Sequence, residues 1–179
     1  MLLETFKNFP DFELLDTVSQ QTLSLNEIKS DKGTVIVFMC NHCPFVKHIL
    51  PKLIEVAHTY QQQGLQFIAI NSNDVEHYQD DSPENMHMLA QQLKFPFPYL
   101  FDESQEIAQA YQAACTPDFY LFDKDLKCVY RGRFDGATPG NNVPIDGKDL
   151  CTAMDNLLEG KSISDQQHAS MGCNIKWKK

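Results

Sequence analysis

Two periods of hydrophobic and polar positions alternate along this chain, and the switches between them mark its elements. Residues 34–39 (Thr34-Val35-Ile36-Val37-Phe38-Met39) form an unbroken apolar run rich in β-branched side chains, opened by Asp31-Lys32-Gly33. That pattern predicts a central strand buried on both faces. Directly after it, Phe45, Val46, Ile49, Leu53, Val56 and Ala57 recur at helical spacing, which predicts a helix over 43–63 closed by Gly64. Pro51 falls inside this helix and predicts a kink, because it removes a backbone donor. Residues 65–71 read as the next strand.

The flanks follow the same logic. From Phe9 to Leu25 the chain predicts two short strands, 12–15 and 22–25, around a polar turn at 16–21. Ser82-Pro83 caps a helix over 84–93, and Phe95-Pro96-Phe97-Pro98 reads as an extended connector. A helix over 104–113 precedes a hairpin of 119–122 with 128–133, and a last helix spans 147–158. Strands alternating with helices, closed by a late hairpin, predict an α/β fold. Its central mixed sheet is flanked by helices and carries an N-terminal β-hairpin extension. One domain is expected over 1–160 and a polar tail over 161–179.

Composition narrows the class. A chain of 179 residues, 42% hydrophobic and 22% charged, suits one ordinary globular domain. The net charge of −9 disfavours nucleic acid and anionic membrane as partners, since both select basic surfaces. No window approaches the ~18 apolar residues of a membrane span. The start Met1-Leu2-Leu3-Glu4-Thr5-Phe6-Lys7 lacks a basic stretch ahead of an apolar core, so a native start and a cytoplasmic location are expected. Six cysteines are too few and too scattered for a disulfide scaffold, which leaves catalysis, metal binding or packing.

Among them, Cys40-Asn41-His42-Cys43 sits between a buried strand and a helix start. A helix N-terminus favours thiolate over thiol, so a lowered pKa is expected at Cys40, taken as the more exposed sulfur. Cys43, three residues on, can close a small disulfide with little backbone movement. Cys40 is therefore expected to attack and Cys43 to resolve the mixed disulfide, with His42 as a tuning donor. The alternative for the pair is half of a zinc site, which needs two further ligands.

Three strings give the chain a family likeness: Cys40-Asn41-His42-Cys43-Pro44-Phe45-Val46-Lys47, Cys115-Thr116-Pro117-Asp118 and Gly172-Cys173-Asn174-Ile175-Lys176-Trp177. With them the chain resembles the thioredoxin superfamily over residues 9–160. More narrowly, it resembles the redoxin branch of alkyl hydroperoxide reductase/thiol-specific antioxidant proteins, in a bacterial peroxiredoxin-like subfamily. The resemblance implies a thioredoxin-like fold and a cis Thr116–Pro117 bond facing the dithiol, where Thr116 and Pro117 present backbone groups to an extended substrate. Some family features are missing. Met39 stands where thioredoxins have Trp, residues 34–39 hold no acid, and Cys40 occupies the Thr position of peroxiredoxins. The segment around Cys115 also lacks their arginine.

The reading that follows is a thiol–disulfide oxidoreductase with no cofactor and no resident metal. Its partners are a protein or small-molecule disulfide, or a peroxide, and an unidentified thiol electron donor. A peroxiredoxin-like thiol peroxidase and a non-catalytic metal-binding module using Cys40, Cys43 and a histidine remain as alternatives. Cys115 is either a third redox thiol (or metal ligand) or a small buried hydrophobe. Cys173 is either a mobile thiol on a flexible tail or part of a tail docked through Ile175 and Trp177 without a redox role. Cys128 and Cys151 read as core residues. Arg131 and Arg133 read as surface partners of nearby acids, and the loop over 136–147 as a rim element.

Overall fold

The computed structural model describes residues 10–179. Its strands are β1 (Glu13–Asp16), β2 (Gln21–Ser24), β3 (Thr34–Phe38), β4 (Gln66–Asn71), β5 (Tyr99–Phe101), β6 (Cys115–Thr116), β7 (Asp118–Phe122), β8 (Cys128–Gly132) and β9 (Cys173–Asn174). The helices are α1 (Leu25–Ile28), α2 (Pro44–Gln61), α3 (Pro83–Leu93), α4 (Glu106–Ala110) and α5 (Lys148–Leu158), with a 3-10 turn at Gln79–Asp81. Seven strands form one mixed sheet in the order β2-β1-β5-β4-β3-β7-β8. β3 runs parallel to β4, and β4 to β5, while β7 and β8 close one side antiparallel and the β1–β2 hairpin closes the other.

Why β3 lies at the centre follows from its side chains. Alternation along a strand sends Val35 and Val37 to one face and Ile36 and Phe38 to the other. The first pair packs with Val46, Ile49 and Leu53 of α2 and Leu150 and Met154 of α5. The second pair meets Ile68, Ile70, Leu100, Tyr111, Tyr120 and, from the C-terminal segment, Ile175. Each such fully buried side chain contributes about 1.5–3 kcal/mol of transfer free energy. At the hairpin turn, the Asp16 carboxylate accepts the N–H groups of Val18 (3.1 Å), Ser19 (2.9 Å) and Tyr99 (3.0 Å), which ties the turn to β5.

Several local expectations shift. Leu25 leaves the predicted strand for α1, where a Ser24–Glu27 capping box starts a helical turn. The helix expected over 104–113 contracts to α4, and Gln105 and Gln112 on either side take positive φ. The three-residue strand β5 and the two-residue strands β6 and β9 are too short for a sequence period to mark. Phe9, where the first predicted strand region begins, lies outside the described residues. The C-terminal segment after α5 is docked rather than loose. Arg133 N–H donates to the His168 carbonyl (3.1 Å), Ser170 Oγ to Asp118 (2.6 Å), and β9 pairs antiparallel with β6.

Candidate redox site

β3 delivers Cys40 to the top of the sheet, and α2 begins four residues later with Pro44 in its first turn and Cys43 as its N-cap. Proline suits that position, because its missing N–H is one the helix start does not use. Both sulfurs are covered, Cys40 being 1% exposed and Cys43 0%. Opposite them, β6 leads into the Thr116–Pro117 bond, which is cis, as the resemblance implies. Thr116 Oγ1 lies 3.5 Å from Cys40 Sγ, and the Thr116 carbonyl lies 3.2 Å from Cys43 Sγ.

The surroundings of the dithiol favour ionisation at the second sulfur. The Cys40 thiol donates toward Cys43 and is the main influence drawing it down to about 4; the Cys173 thiol, the Val46 N–H and Thr116 add to this against burial. The Thr116 carbonyl is the acceptor that opposes ionisation, and the donors outnumber it. Cys40 is pushed well above the ordinary thiol range, first by the proton it shares with Cys43, then by burial and the Asp81 carboxylate. The direction is opposite to the acidified Cys40 expected from the sequence. The helix starts beyond Cys43, so its N-terminal field acts on Cys43, and neither sulfur is exposed.

A buried carboxylate faces the pair after all. Asp81, 0% exposed at the end of the 3-10 turn, accepts hydrogen bonds from Asn41 N–H (2.7 Å), Asn73 Nδ2 (2.9 Å) and His42 Nδ1 (2.6 Å). His42 thus turns its short bond to Asp81 and stacks on Tyr78, with ring centroids 5.5 Å apart. Residues 34–39 carry no acid, and the one that serves comes from a turn 40 residues beyond Asn41, which no local spacing marks. Cys40, His42 and Asp81 each offer an atom within 4.8 Å of the others and could hold a metal ion. Three donors fall short of the four of a structural zinc site, and Asp81 is already committed to three hydrogen bonds.

The remaining candidates separate. Cys173 faces Thr116 across β6–β9, and Thr116 in turn touches both sulfurs of the pair, so the tail is docked beside the site. Ile175 anchors it (3% exposed), whereas Trp177 stays 42% exposed and is not the anchor. Gly172 permits this approach, since a Cβ there would overlap the Thr116 carbonyl. The Cys115 thiol turns to the Pro117 carbonyl (3.7 Å), and burial pushes it up to about 12, a neutral thiol. Cys128 is buried in the second core cluster, and Cys151 is half-buried against the first. Arg131 lies 3.8 Å from Asp118 and over the Tyr120 ring, and Arg133 pairs with Asp149. Beside Pro117, the loop after β8 borders a narrow cleft lined by Phe45, Ile49, Phe134, Ala137 and Met171.

The model of the AhpC/TSA family matches residues 6–131. A relative named thiol-disulfide oxidoreductase ResA, from Geobacillus thermodenitrificans, is 25% identical over 118 residues, 66% of this chain. The match spans 63% of that relative's own length, less than two thirds. A solved structure of an uncharacterized conserved protein from Geobacillus kaustophilus is 52% identical, with TM-score 0.96, covering 98% of this chain and 93% of that one. The thioredoxin domain of a thiol-disulfide oxidoreductase from Bacteroides vulgatus superposes with TM-score 0.59 at 17% identity, covering 72% of this chain and 88% of that one; this likeness shows the thioredoxin-like fold.

Proposed function

The chain belongs to the AhpC/TSA family, and from that premise we propose that it is a thiol–disulfide oxidoreductase acting through Cys40 and Cys43. The observation that carries the reading is a buried dithiol at a helix start facing the cis Thr116–Pro117 bond, with Thr116 within 3.5 Å of both sulfurs; the proton the two sulfurs share draws Cys43 toward thiolate. Thiolate is the attacking species, so Cys43 attacks the substrate disulfide, forms a mixed disulfide and releases the first substrate thiolate. Cys40 then gives up its proton and attacks Cys43, releasing the second substrate thiol and leaving a Cys40–Cys43 disulfide. The His42–Asp81 pair, within 4.8 Å of Cys40, is placed to receive that proton. This reverses the roles expected from the sequence, where Cys40 attacks. A thiol electron donor resets the pair, and a cytoplasmic setting belongs to the same proposal.

Trapping tests it. With insulin as substrate, Cys40→Ser in a Cys173→Ser background is expected to accumulate a mixed disulfide, and Cys43→Ser in that background none. Trapping only in the Cys43→Ser variant would return the attack to Cys40, and trapping in neither would end the proposal.

The acidified Cys43 followed by Pro44 favours one second reading, a thiol peroxidase. Cys43 thiolate would break the peroxide O–O bond to give a sulfenic acid, the leaving oxygen taking up a proton to become an alcohol, or water from hydrogen peroxide, and Cys40 would condense with the sulfenic acid, releasing water. Stopped-flow mixing with hydrogen peroxide decides this; consumption no faster than by free cysteine excludes it.

A further inference from the structure

We infer that Cys173 is a third redox thiol that exchanges with the dithiol, and that the strand carrying it is a substrate resident in the protein's own groove. The inference rests on the proposed oxidoreductase reading. β6 is the edge beside the dithiol where an extended substrate would add a strand, and β9 already fills it in antiparallel register, Thr116 opposite Cys173 and Cys115 opposite Asn174.

The segment is fixed on both sides of the cysteine. Upstream, Ser170 Oγ bonds Asp118, and Gly172 lies against the Thr116 carbonyl where a Cβ would not fit. Downstream, Ile175 is buried under the sheet. The Lys176 backbone donates to Asn73 Oδ1 (2.9 Å), and its carbonyl accepts from Gln105 Nε2 (2.8 Å) and Asp74 N–H (2.8 Å). The Lys176 ammonium lies over Tyr78, whose ring also stacks on His42. These anchors hold Cys173 opposite Thr116, the residue whose hydroxyl and carbonyl lie 3.5 and 3.2 Å from the Cys40 and Cys43 sulfurs, beside the place a substrate sulfur would take.

The exchange balances without a further reactant. When Cys43 is in a disulfide with Cys40, the Cys173 sulfur gives up its proton and attacks the Cys43 sulfur. The Cys43–Cys173 bond forms, the Cys40–Cys43 bond breaks, and its electron pair leaves on Cys40, which takes up a proton. One disulfide and one thiol stand on each side. A substrate sulfur joined to Cys43 is displaced in the same way. Exposure gives the step its use, since Cys40 and Cys43 are covered while Cys173 is partly exposed. Cys173 therefore carries the oxidised state from the buried pair toward an external thiol donor.

The test is oxidation of the full chain with diamide, acid quench, alkylation and peptide mass spectrometry. Wild type is expected to yield both Cys40–Cys43 and Cys43–Cys173 disulfides, Cys173→Ser only the first, and Cys40→Ser the second. Gly172→Val is expected to lower the Cys43–Cys173 yield at least tenfold while Cys40–Cys43 persists. If Cys40→Ser leaves Cys43 and Cys173 unlinked while wild type forms Cys40–Cys43, the inference is overturned and the oxidoreductase reading stands. Absence of Cys40–Cys43 from wild type counts against the oxidoreductase reading instead, and the Cys40→Ser result still decides the status of Cys173.

Discussion

His42 Nδ1 donates to the Asp81 carboxylate at 2.6 Å, and this contact joins the loop between the two cysteines to a turn 39 residues away. The same carboxylate receives the Asn41 N–H and raises the pKa of Cys40 through its charge. A loop that would otherwise be loose is thereby held at both of its central residues, with Cys40 kept protonated until its turn to react.

Asp81→Asn removes the charge and keeps one acceptor oxygen. The second thiolate step, followed by absorbance at 240 nm, is expected to move to lower pH, because a repelling charge beside Cys40 is gone. Asn also turns donors toward the Asn41 and Asn73 donors, so stability in urea should fall by about 1–3 kcal/mol. An unmoved second step would show that Asp81 does not govern Cys40.

The donors to Cys43 can be ranked by removal. Cys40→Ala takes away the strongest and should raise the Cys43 pKa from about 4 toward the ordinary thiol range. Cys173→Ala should raise it less, since its contribution is the smaller. Equal shifts, or a larger one from Cys173→Ala, would contradict this ranking.

The lowered pKa of Cys43 makes the reduced form pH-dependent. For a group acidified on folding, the stabilisation is complete above the unfolded thiol pKa and is lost as pH falls toward about 4. The oxidised form has no such proton to take up. Comparing urea unfolding of the two forms from pH 9 to pH 5 should show the reduced one losing ground. The slope should be at most about 1.4 kcal/mol per pH unit for one proton. Raised Cys40 costs stability only as pH rises through the ordinary thiol range, so the comparison is read below pH 8, where it contributes nothing. A reduced form that gained relative stability in acid would refute the assignment.

With the tail docked, the dithiol is closed to a bulky reagent. Reaction of Cys43 with 5,5′-dithiobis(2-nitrobenzoate) in a Cys173→Ser background is therefore expected to be slow. Ile175→Asp, which places a charge where a buried side chain stood, should accelerate it tenfold or more. No acceleration would mean that the tail is not what covers the sulfurs.

Much of this protein was legible before folding. Apolar runs and helical spacing located β3, α2, β4, α3 and the β7–β8 hairpin, because each buries a face that its own period marks. The junction between β3 and α2 placed the two cysteines on neighbouring turns of chain, and Pro117 could be read beside them through a family likeness. What the sequence could not rank was the chemistry of the two sulfurs. Ionisation depends on donors and charges within a few ångströms, and here they come from Thr116, 73 residues from Cys43, from Asp81 and from Cys173. Strands of two or three residues leave no period either, so β5, β6 and β9 emerged only from their pairing partners. The sequence alone determined that a dithiol sits at a helix start. Tertiary structure decided which distant groups surround the two sulfurs and that the tail pairs beside them, because only packing brings residues so far apart in sequence to one place.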